Sequence, residues 1–432
     1  MAKTFREYSP DQLLLMPPSL REWLPKDHAV YFVADLVETL DLRAIYASYD
    51  EERGYPPYHP LLMTKLLLYG YTRGVRSSRK LARACQEDVA FRILAAGQQP
   101  DFRTIAAFRA RHLKALNGLF DQVLQLCREA GLVKLGHVAV DSTKVRANAS
   151  KHKAMSYARM KQEEQRRREQ IRRWFEECEA TDAAEDELYG SDKTGDELPE
   201  ELRDPKRRLE KIREAKAALE AEARTKGEEE PEPKAQRNFT DPESRIMLSS
   251  DKAFIQAYNC QAAVDGDSQV IVAADVLQKA SDQRELVPMV EQVEERVGER
   301  PKVVSADAGY WVNEDIERLE EAGIEALVAP KKIRHSDWRE MSSPRGRIPK
   351  GLSQKELMAR KLRTKRGRAE YGKRKTSVEP IFGQLKGPLD FRQFLLRGHE
   401  KAKGEWTLAC TANNILKLFR AGYRVPAPAI AG

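Results

Sequence analysis

A charged segment at residues 151–236 divides this 432-residue chain into two parts of different character. The segment has few aromatic residues and contains two helical patterns, separated by an acidic loop that begins near residue 180. The second pattern has only a thin apolar stripe at Leu209, Ile212 and Leu219. A Pro/Glu-rich run, EEEPEPK, follows. We predict a charged helical hairpin insertion with a disordered tip, followed by a linker.

A cluster of arginines lies in the first helical pattern of this insertion, at residues 166–168 and 172–173. These side chains could grip DNA. The alternating charges around them favour a solvated helix face that pairs with itself, and we keep DNA contact as the alternative.

Residues 1–130 have the pattern of an all-helical domain. Apolar residues recur at helical spacing in DHAVYFVADLVETLDL, and GYPPYHP then interrupts the pattern because Pro and Gly end helices. A later helix has Asp101 or Thr104 as a candidate N-cap. The cations that we assign to these helices, on faces expected to be exposed, are Arg76, Arg79, Lys80, Arg83, Arg103, Arg109, Arg111 and Lys114. A helix-turn-helix-like DNA module and a plain helical bundle with solvated arginines fit this pattern equally well.

Apolar β-type runs flank the insertion on both sides. GHVAVDSTKVRA precedes it, and we interpret this run as a strand that ends at Asp141, with a turn at DST. Further β runs and amphipathic helices alternate after the insertion, which predicts a mixed α/β layer. We therefore assign residues 131–150 and 237–422 to one core and residues 423–432 to a disordered tail.

The overall composition fits a cytoplasmic protein with a polyanionic partner. The formal net charge is +8 and the sequence pI is about 9.0. The five cysteines are scattered without a CxxC pair, which predicts reduced thiols. We see no apolar run long enough for a signal peptide or a membrane span, so we expect no membrane partner.

Two aspartates end apolar β runs, and a third acid lies in an unusual setting. Asp141 ends VAVD and Asp307 ends VVSAD. Ligands gather at the carboxyl edge of sheets with parallel neighbours, so the two side chains can face one another there, although most single strand-end aspartates cap turns. Glu379 stands alone among cations in YGKRKTSVEPIFGQLK. Three such carboxylates would suit two Mg²⁺ or Mn²⁺ ions and in-line displacement at a phosphate.

Helical spacing would align several functional side chains of the Glu379 segment. Tyr371, Lys375 and Glu379 fall at i, i+4 and i+8, and Lys386 lies two turns further on. The alternative is a basic surface helix with one salt pair. Pro380 weakens the alignment, because Pro within a helix predicts either a kink at Glu379 or a new helix that begins at Pro380.

With these motifs the chain resembles the DDE transposases of bacterial insertion sequences, in the branch with a Tyr-Arg-Glu-Lys signature. The motifs that carry the resemblance are GYPPYHPLLMTKLLLYGYTRGVRSSRKLARA, PDFRTIAAFR, VAVDSTKV, AYNCQAAVD, VVSADAGY and YGKRKTSVEPIFGQLK. The resemblance implies an RNase H-like catalytic core after an all-helical N-terminal domain. It also implies a site with two metal ions, cleavage at element ends, and strand transfer by a 3′-hydroxyl.

The resemblance also implies roles for single residues. Asp141, Asp307 and Glu379 take the catalytic and metal-binding positions. The residues that we expect to contact DNA are Tyr371, Arg374, Lys375, Lys386, Lys144, Arg79, Arg103 and Arg109. The family leaves three residues between its Arg and Glu, whereas four separate Arg374 from Glu379, so Arg374 and Lys375 both stay candidates for the signature Arg.

These observations lead to three hypotheses about function. The first is an active transposase that acts on double-stranded DNA, as a homodimer or larger assembly, in the cytoplasm at the nucleoid. The second is a catalytically silent DNA-binding protein derived from a transposase, which the presence of all three acids disfavours. The third is a scaffolding protein built on the insertion.

Overall fold

The computed structural model describes residues 19–49, 56–149, 154–189, 200–225, 227–249, 251–331 and 342–426. The centre of the predicted disordered tip (190–199) and the end of the predicted tail (427–432) lie outside these residues. Within them, helices surround a mixed β-sheet, which confirms the predicted mixed α/β class. No helix in the described ranges is long and apolar enough to cross a membrane.

The N-terminal region is helical, as predicted. Pro60 occupies the start of a largely buried helix, where its missing N–H costs no hydrogen bond. The Asp101 carboxylate accepts a hydrogen bond from the backbone N–H of Arg103, so Asp101 is the N-cap and Thr104 is not. The helices are α1 Ala29–Thr39, α2 Arg43–Tyr46, α3 Pro60–Thr72, α4 Ser78–Glu87, α5 Val89–Leu94 and α6 Phe102–Glu129.

The sheet has an antiparallel half and a parallel half that meet at strand β1. On one side β1 pairs antiparallel with β5, whose other edge pairs with β4 and β6. On the other side β1 pairs in parallel with β7, and β7 pairs in parallel with β8. The strands are β1 Val138–Arg146, β4 Arg245–Leu248, β5 Phe254–Asp265, β6 Ile271–Leu277, β7 Val303–Ala306 and β8 Glu325–Val328. Helices α9 Leu286–Val297 and α10 Asn313–Glu321 connect β6 to β7 and β7 to β8.

The insertion forms a helical hairpin with a small core of its own. Helices α7 Tyr157–Tyr189 and α8 Glu200–Thr225 pack together, and strands β2 Ala154–Ser156 and β3 Gln236–Asn238 pair at their base. Helix α7 runs into the stretch predicted as an acidic loop, because its Ala- and Glu-rich sequence favours helix. The carboxylate of Glu164 pairs with Arg168, Arg213 and Lys216, as a self-paired helix face requires.

A long C-terminal helix, α14 His399–Arg420, joins the N-terminal helices to the sheet. It packs against α3, α6 and β6, and Trp406 is completely buried within it. The Asn414 side chain bonds both the N–H and the carbonyl of Ile271, at 2.9 and 2.8 Å. One hydrophobic core therefore extends from the helical region through the sheet.

A buried ion pair strengthens this junction and corrects two predictions of exposed cations. Arg76 is 6% exposed, and its Nη1 lies 3.0 Å from Oε1 of the fully buried Glu405. Arg109 is 5% exposed and donates from Nη1 to the carbonyl of Arg76 at 2.9 Å. Both arginines were expected on solvated helix faces. That expectation was wrong because their partners are distant in sequence and were not visible from helical periodicity.

The segment around Glu379 forms two helices, and their bounds contradict one of the two alternatives for Pro380. Helix α13 Arg374–Lys386 includes Pro380, so no new helix begins there. The carbonyl of Thr376, which Pro380 leaves without its helical donor, accepts a hydrogen bond from Gln269 Nε2 at 2.6 Å. The helix is interrupted earlier, at Lys373. The preceding helices are α11 Gln354–Arg363 and α12 Lys365–Gly372.

Candidate active site

Asp141 and Asp307 occupy equivalent positions on the two neighbouring parallel strands. The register pairs Ala139 with Ser305, and each aspartate lies two residues beyond its member of that pair. Asp307 directly follows β7 and caps a short 3-10 helix. Asp141 lies within β1, which continues to Arg146 as a partner of β5. The predicted turn at DST is therefore wrong, because the long β5 extends the strand beyond its parallel partner.

The environment of Asp141 opposes its charge. Burial raises its pKa to about 6, the nearby Asp307 and Asp282 carboxylates act in the same direction, and Arg374 lowers it. Nη2 of Arg374 lies 2.8 Å from Asp141 Oδ2, and the backbone N–H of Ser142 donates to Oδ1 at 2.7 Å. Asp141 therefore gains half its charge only near pH 6, and a cation beside it would favour the charged form.

Arg374 is the signature cation that reaches this acid. Its side chain is 10% exposed, and its Nη1 also donates to the Tyr371 hydroxyl at 3.2 Å. Lys375, the other candidate, is exposed on the next position of α13. Tyr371 belongs to α12 and not to α13, so the predicted single face of Tyr371, Lys375 and Glu379 is wrong. Helix α12 ends at Gly372, and the backbone N–H of Lys373 caps it by donating to the carbonyls of Glu370 and Tyr371.

Glu379 and Lys386 lie further along α13. Glu379 is exposed and forms no ion pair with any described residue. Nζ of Lys386 donates to the carbonyl of Lys144 at 3.3 Å, and burial lowers the pKa of this lysine. Across the described ranges, no three Asp, Glu, His or Cys side chains stand close enough together to hold one metal ion. The structure thus brings together Asp141, Asp307 and Arg374, with Glu379 on the helix that supplies Arg374.

Asp282 is a further acid beside Asp141 and Asp307, and it was not predicted from the sequence. It precedes α9, and its Oδ1 accepts hydrogen bonds from Asn259 Nδ2 at 2.6 Å and Gln261 Nε2 at 2.8 Å. Its other neighbour is Lys144, whose Nζ lies 3.5 Å away. A signal was present in AYNCQAAVD, because two amides in a buried apolar strand require buried partners.

The N-terminal cations divide into exposed and buried residues. Arg79 and Arg103 are exposed, and their guanidinium carbons lie 5.1 and 5.6 Å from the ring centroid of Phe102. They remain candidates for contact with DNA. Arg109 is committed to the buried junction described above and presents no free guanidinium to a ligand.

A cavity of about 960 Å³ lies among the N-terminal helices, lined in part by Tyr58, Arg103 and Phe108. None of the acids described above lines it. The acids are instead at the face of the sheet beside α13.

Two protein-family models match parts of the chain. A transposase domain (DUF772) matches residues 18–111, and a transposase DDE domain matches residues 231–415. No curated protein and no solved structure gave a match. The second match contains Asp307 and Glu379, whereas Asp141 lies between the two matches and joins the site through the pairing of β1 with β7. The two matches together span more than half of the chain and agree with the arrangement of its acids, so the chain belongs to the DDE transposases of insertion sequences.

Proposed function

We propose that this transposase cleaves the ends of its insertion sequence and joins them to target DNA, with Asp141, Asp307 and Glu379 as the catalytic acids. The observation that carries the proposal is the register of β1 and β7, which aligns Asp141 with Asp307. The strand order β6-β5-β1-β7-β8 and its strand directions support an RNase H-like core. The aligned pair supports active chemistry over a catalytically silent DNA-binding role.

The donor set of the site fits a hard divalent cation. Asp141 and Asp307 offer carboxylate oxygens, which Mg²⁺ and Mn²⁺ prefer. The raised pKa of Asp141 reflects burial and crowding by like charges, which a bound cation would relieve. We assign Asp141 and Asp307 as ligands of two metal ions, and Glu379 as the third acid. Bound metal would activate the attacking water or 3′-hydroxyl and stabilise the charge that develops on the phosphate.

The cations around the acids would orient the DNA strand. Arg374 bonds Asp141 and the hydroxyl of Tyr371, so it fixes the acid and the aromatic residue relative to each other. Among the candidates for the signature Arg, this contact favours Arg374 over Lys375, which would face DNA from the exposed side of α13. Tyr371, Arg374, Glu379 and Lys386 then form the Tyr-Arg-Glu-Lys signature, and Lys144 adds a cation beside the acids.

The same proposal extends to the partners of the protein. Arg79 and Arg103 project from α4 and α6 and would contact duplex DNA at a distance from the reacting phosphate. Transposition requires two element ends to meet, so we propose a homodimer or larger assembly on DNA. Because its proposed substrate is DNA, we expect the protein to act in the cytoplasm, at the nucleoid.

The test uses purified full-length protein and duplex DNA that carries the inverted repeats flanking the coding region. We expect cleavage and joining only with Mg²⁺ or Mn²⁺. Asp141→Asn, Asp307→Asn and Glu379→Gln should each remove product formation by at least about a thousandfold while duplex binding persists. Glu317→Gln, which neutralises an exposed acid on α10, is the control and should cut normally. Sustained cutting by the Asp307 variant would contradict the assignment.

A further inference from the structure

Asp282 is held in place by side chains of two core strands, β5 and β1. Its carboxylate accepts two hydrogen bonds from side-chain amides of the buried β5 residues Asn259 and Gln261. The side chain is only 15% exposed. Gln261 also accepts a hydrogen bond from the hydroxyl of Tyr310, in the short helix that Asp307 caps. The same network therefore connects Asp282 to the turn that follows a catalytic acid.

Asp282 and Asp307 approach the same point beside Gly309. A Cβ atom on Gly309 would lie 3.0 Å from Asp307 Oδ1 and 3.5 Å from Asp282 Oδ2. Glycine thus leaves room for both carboxylates at this turn. Asp282 is also close enough to Asp141 to help raise the pKa of that acid. The two amides bind Oδ1 of Asp282, and a cation approaches the same oxygen.

Lys144 is that cation, and two contacts restrain it. Its Nζ lies 3.5 Å from Asp282 Oδ1 and 3.3 Å from the hydroxyl oxygen of Ser142. Its carbonyl accepts a hydrogen bond from Lys386, so its backbone is tied to the signature helix as well. A free lysine side chain loses rotamer entropy when it is ordered. Because Asp282 anchors Lys144, this side chain is already ordered before DNA binds.

We propose that Asp282 is a positioning residue, which holds the ammonium group of Lys144 at the acid site so that it contacts a phosphate of the DNA strand that reacts. The inference rests on the proposed function. A positioning role predicts different effects of Asp282 on duplex affinity and on reaction rate, whereas a purely structural role predicts that both fall together. Asp282→Asn removes a negative charge near DNA, so duplex affinity should stay the same or rise, whereas the reaction should slow because Lys144 loses its anchor.

The experiment measures duplex affinity without divalent ions and single-turnover cleavage of a terminal-repeat duplex over a range of Mg²⁺ concentrations, with the full-length protein. Asp282→Asn and Lys144→Met should each slow cleavage by about 10- to 100-fold, the cost of misplacing a reacting group. The double variant should be no slower than Lys144→Met alone, since both changes break one interaction. The Mg²⁺ concentration for half-maximal rate should not change.

Asp265→Asn is the matched control. Asp265 is a buried acid at the end of β5, held by the backbone N–H groups of Lys134 and Leu135, and it forms no ion pair with any described residue. Its variant should lose stability without separating affinity from rate. If Asp282→Asn slows cleavage and weakens duplex binding together, as a destabilised fold would, the inference is overturned.

Three further results would also overturn the inference. A higher Mg²⁺ requirement in Asp282→Asn alone would make Asp282 a metal ligand. Additive losses in the double variant would make the two residues independent, and unchanged cleavage would make Asp282 a bystander. If Asp282→Asn does not fold, Lys144→Met still decides, because loss of a phosphate contact should reduce the salt slope of DNA binding by about 1. A wild-type protein that binds no terminal repeat would instead refute the proposed function itself.

Discussion

Two buried arginine–carboxylate pairs occupy this molecule, and their surroundings differ. In the pair Arg76–Glu405, the two side chains are 7% and 0% exposed. Oε2 of Glu405 accepts hydrogen bonds from the backbone N–H groups of Leu395 and Leu396, at 2.9 and 3.0 Å. Arg76 also donates to the carbonyl of Asp390 and stands 4.4 Å from the ring centroid of Phe391. These hydrogen bonds and the contact with the ring favour the two charges, while burial raises the pKa of Glu405.

The pair Arg374–Asp141 has the opposite surroundings. The side chains are 10% and 19% exposed, so burial is slightly less. The same Asp141 faces two further acids, Asp307 and Asp282, which raise its pKa. Two cations, Arg374 and Lys144, stand beside these three carboxylates, so the group keeps an excess of negative charge. A region selected only for stability would not leave this charge imbalance, which is typical of functional sites.

The comparison separates two uses of the same chemistry. The junction pair joins the segment before α4 to α14 across the interior, and further hydrogen bonds to the backbone support both charges. The site pair is under-neutralised and stands ready for further positive charge, either from metal ions or from a change of protonation. Burial alone does not distinguish the pairs, whereas the sign of the surrounding charge does.

The largest expected effect is loss of the junction pair. Glu405→Gln should lower the free energy of unfolding by about 3–5 kcal/mol, because it leaves the buried Arg76 charge without its partner. Chemical denaturation monitored by Trp fluorescence measures this loss, since Trp406 lies in the same helix. Arg83→Gln, which removes an exposed pair with Glu87, should cost less than about 1 kcal/mol. Equal losses in the two variants would remove the distinction drawn here for the junction.

A smaller effect should come from metal binding at the site pair. Mg²⁺ at about 100 times its dissociation constant should stabilise the protein by about 2.7 kcal/mol per site, because it binds the folded acids and not the unfolded chain. Asp307→Asn should remove most of this gain, while Glu405→Gln should retain it. Thermal unfolding with and without Mg²⁺ measures the difference. A gain that survives in the Asp307 variant would place the metal elsewhere.

The sequence predicted the acids better than it predicted the cations. Local β patterns revealed the apolar strands that carry these acids, although Asp307 follows its strand and Asp141 lies within β1. Arg76 was misassigned because helical periodicity gives the likely face of a residue but not a partner such as Glu405, which lies far along the chain. Long-range pairing decides burial for an arginine, and a single sequence does not reveal that pairing.

The prediction for the segment around Glu379 failed for another reason. The spacing of Tyr371, Lys375 and Glu379 assumed one helix, whereas the chain ends α12 and begins α13 at Lys373. Pro380 drew attention as the break, yet Gln269 supplies a hydrogen bond to the carbonyl that Pro380 leaves free. This tertiary contact supports a helix that continues through Pro380. Asp282 was missed for the same reason, since its role depends on amides from a strand that precedes it by about twenty residues.

The smallest expected effect concerns the pH dependence of the site pair in metal-free protein. Asp141 has a folded pKa of about 6 against an ordinary value of 3.8, so its contribution to stability is present at low pH and declines as pH rises through 6. Arg374→Gln removes the group that lowers this pKa, so the pKa should rise further, by about one unit or more. The variant should then lose about 1.4 kcal/mol more stability at pH 8 than at pH 5 for each unit of that rise.

Denaturation with a chelator present, at pH 5 and pH 8, measures this difference for wild type and for Arg374→Gln. At pH 5 the carboxyl of Asp141 is largely protonated in both proteins, so the charge part of the loss should be nearly absent. Arg83→Gln removes one exposed arginine and should show the same small loss at both pH values. A loss in Arg374→Gln that does not change between pH 5 and pH 8 would mean that Arg374 acts through packing. The two buried pairs would then differ in position only, and not in their balance of charge.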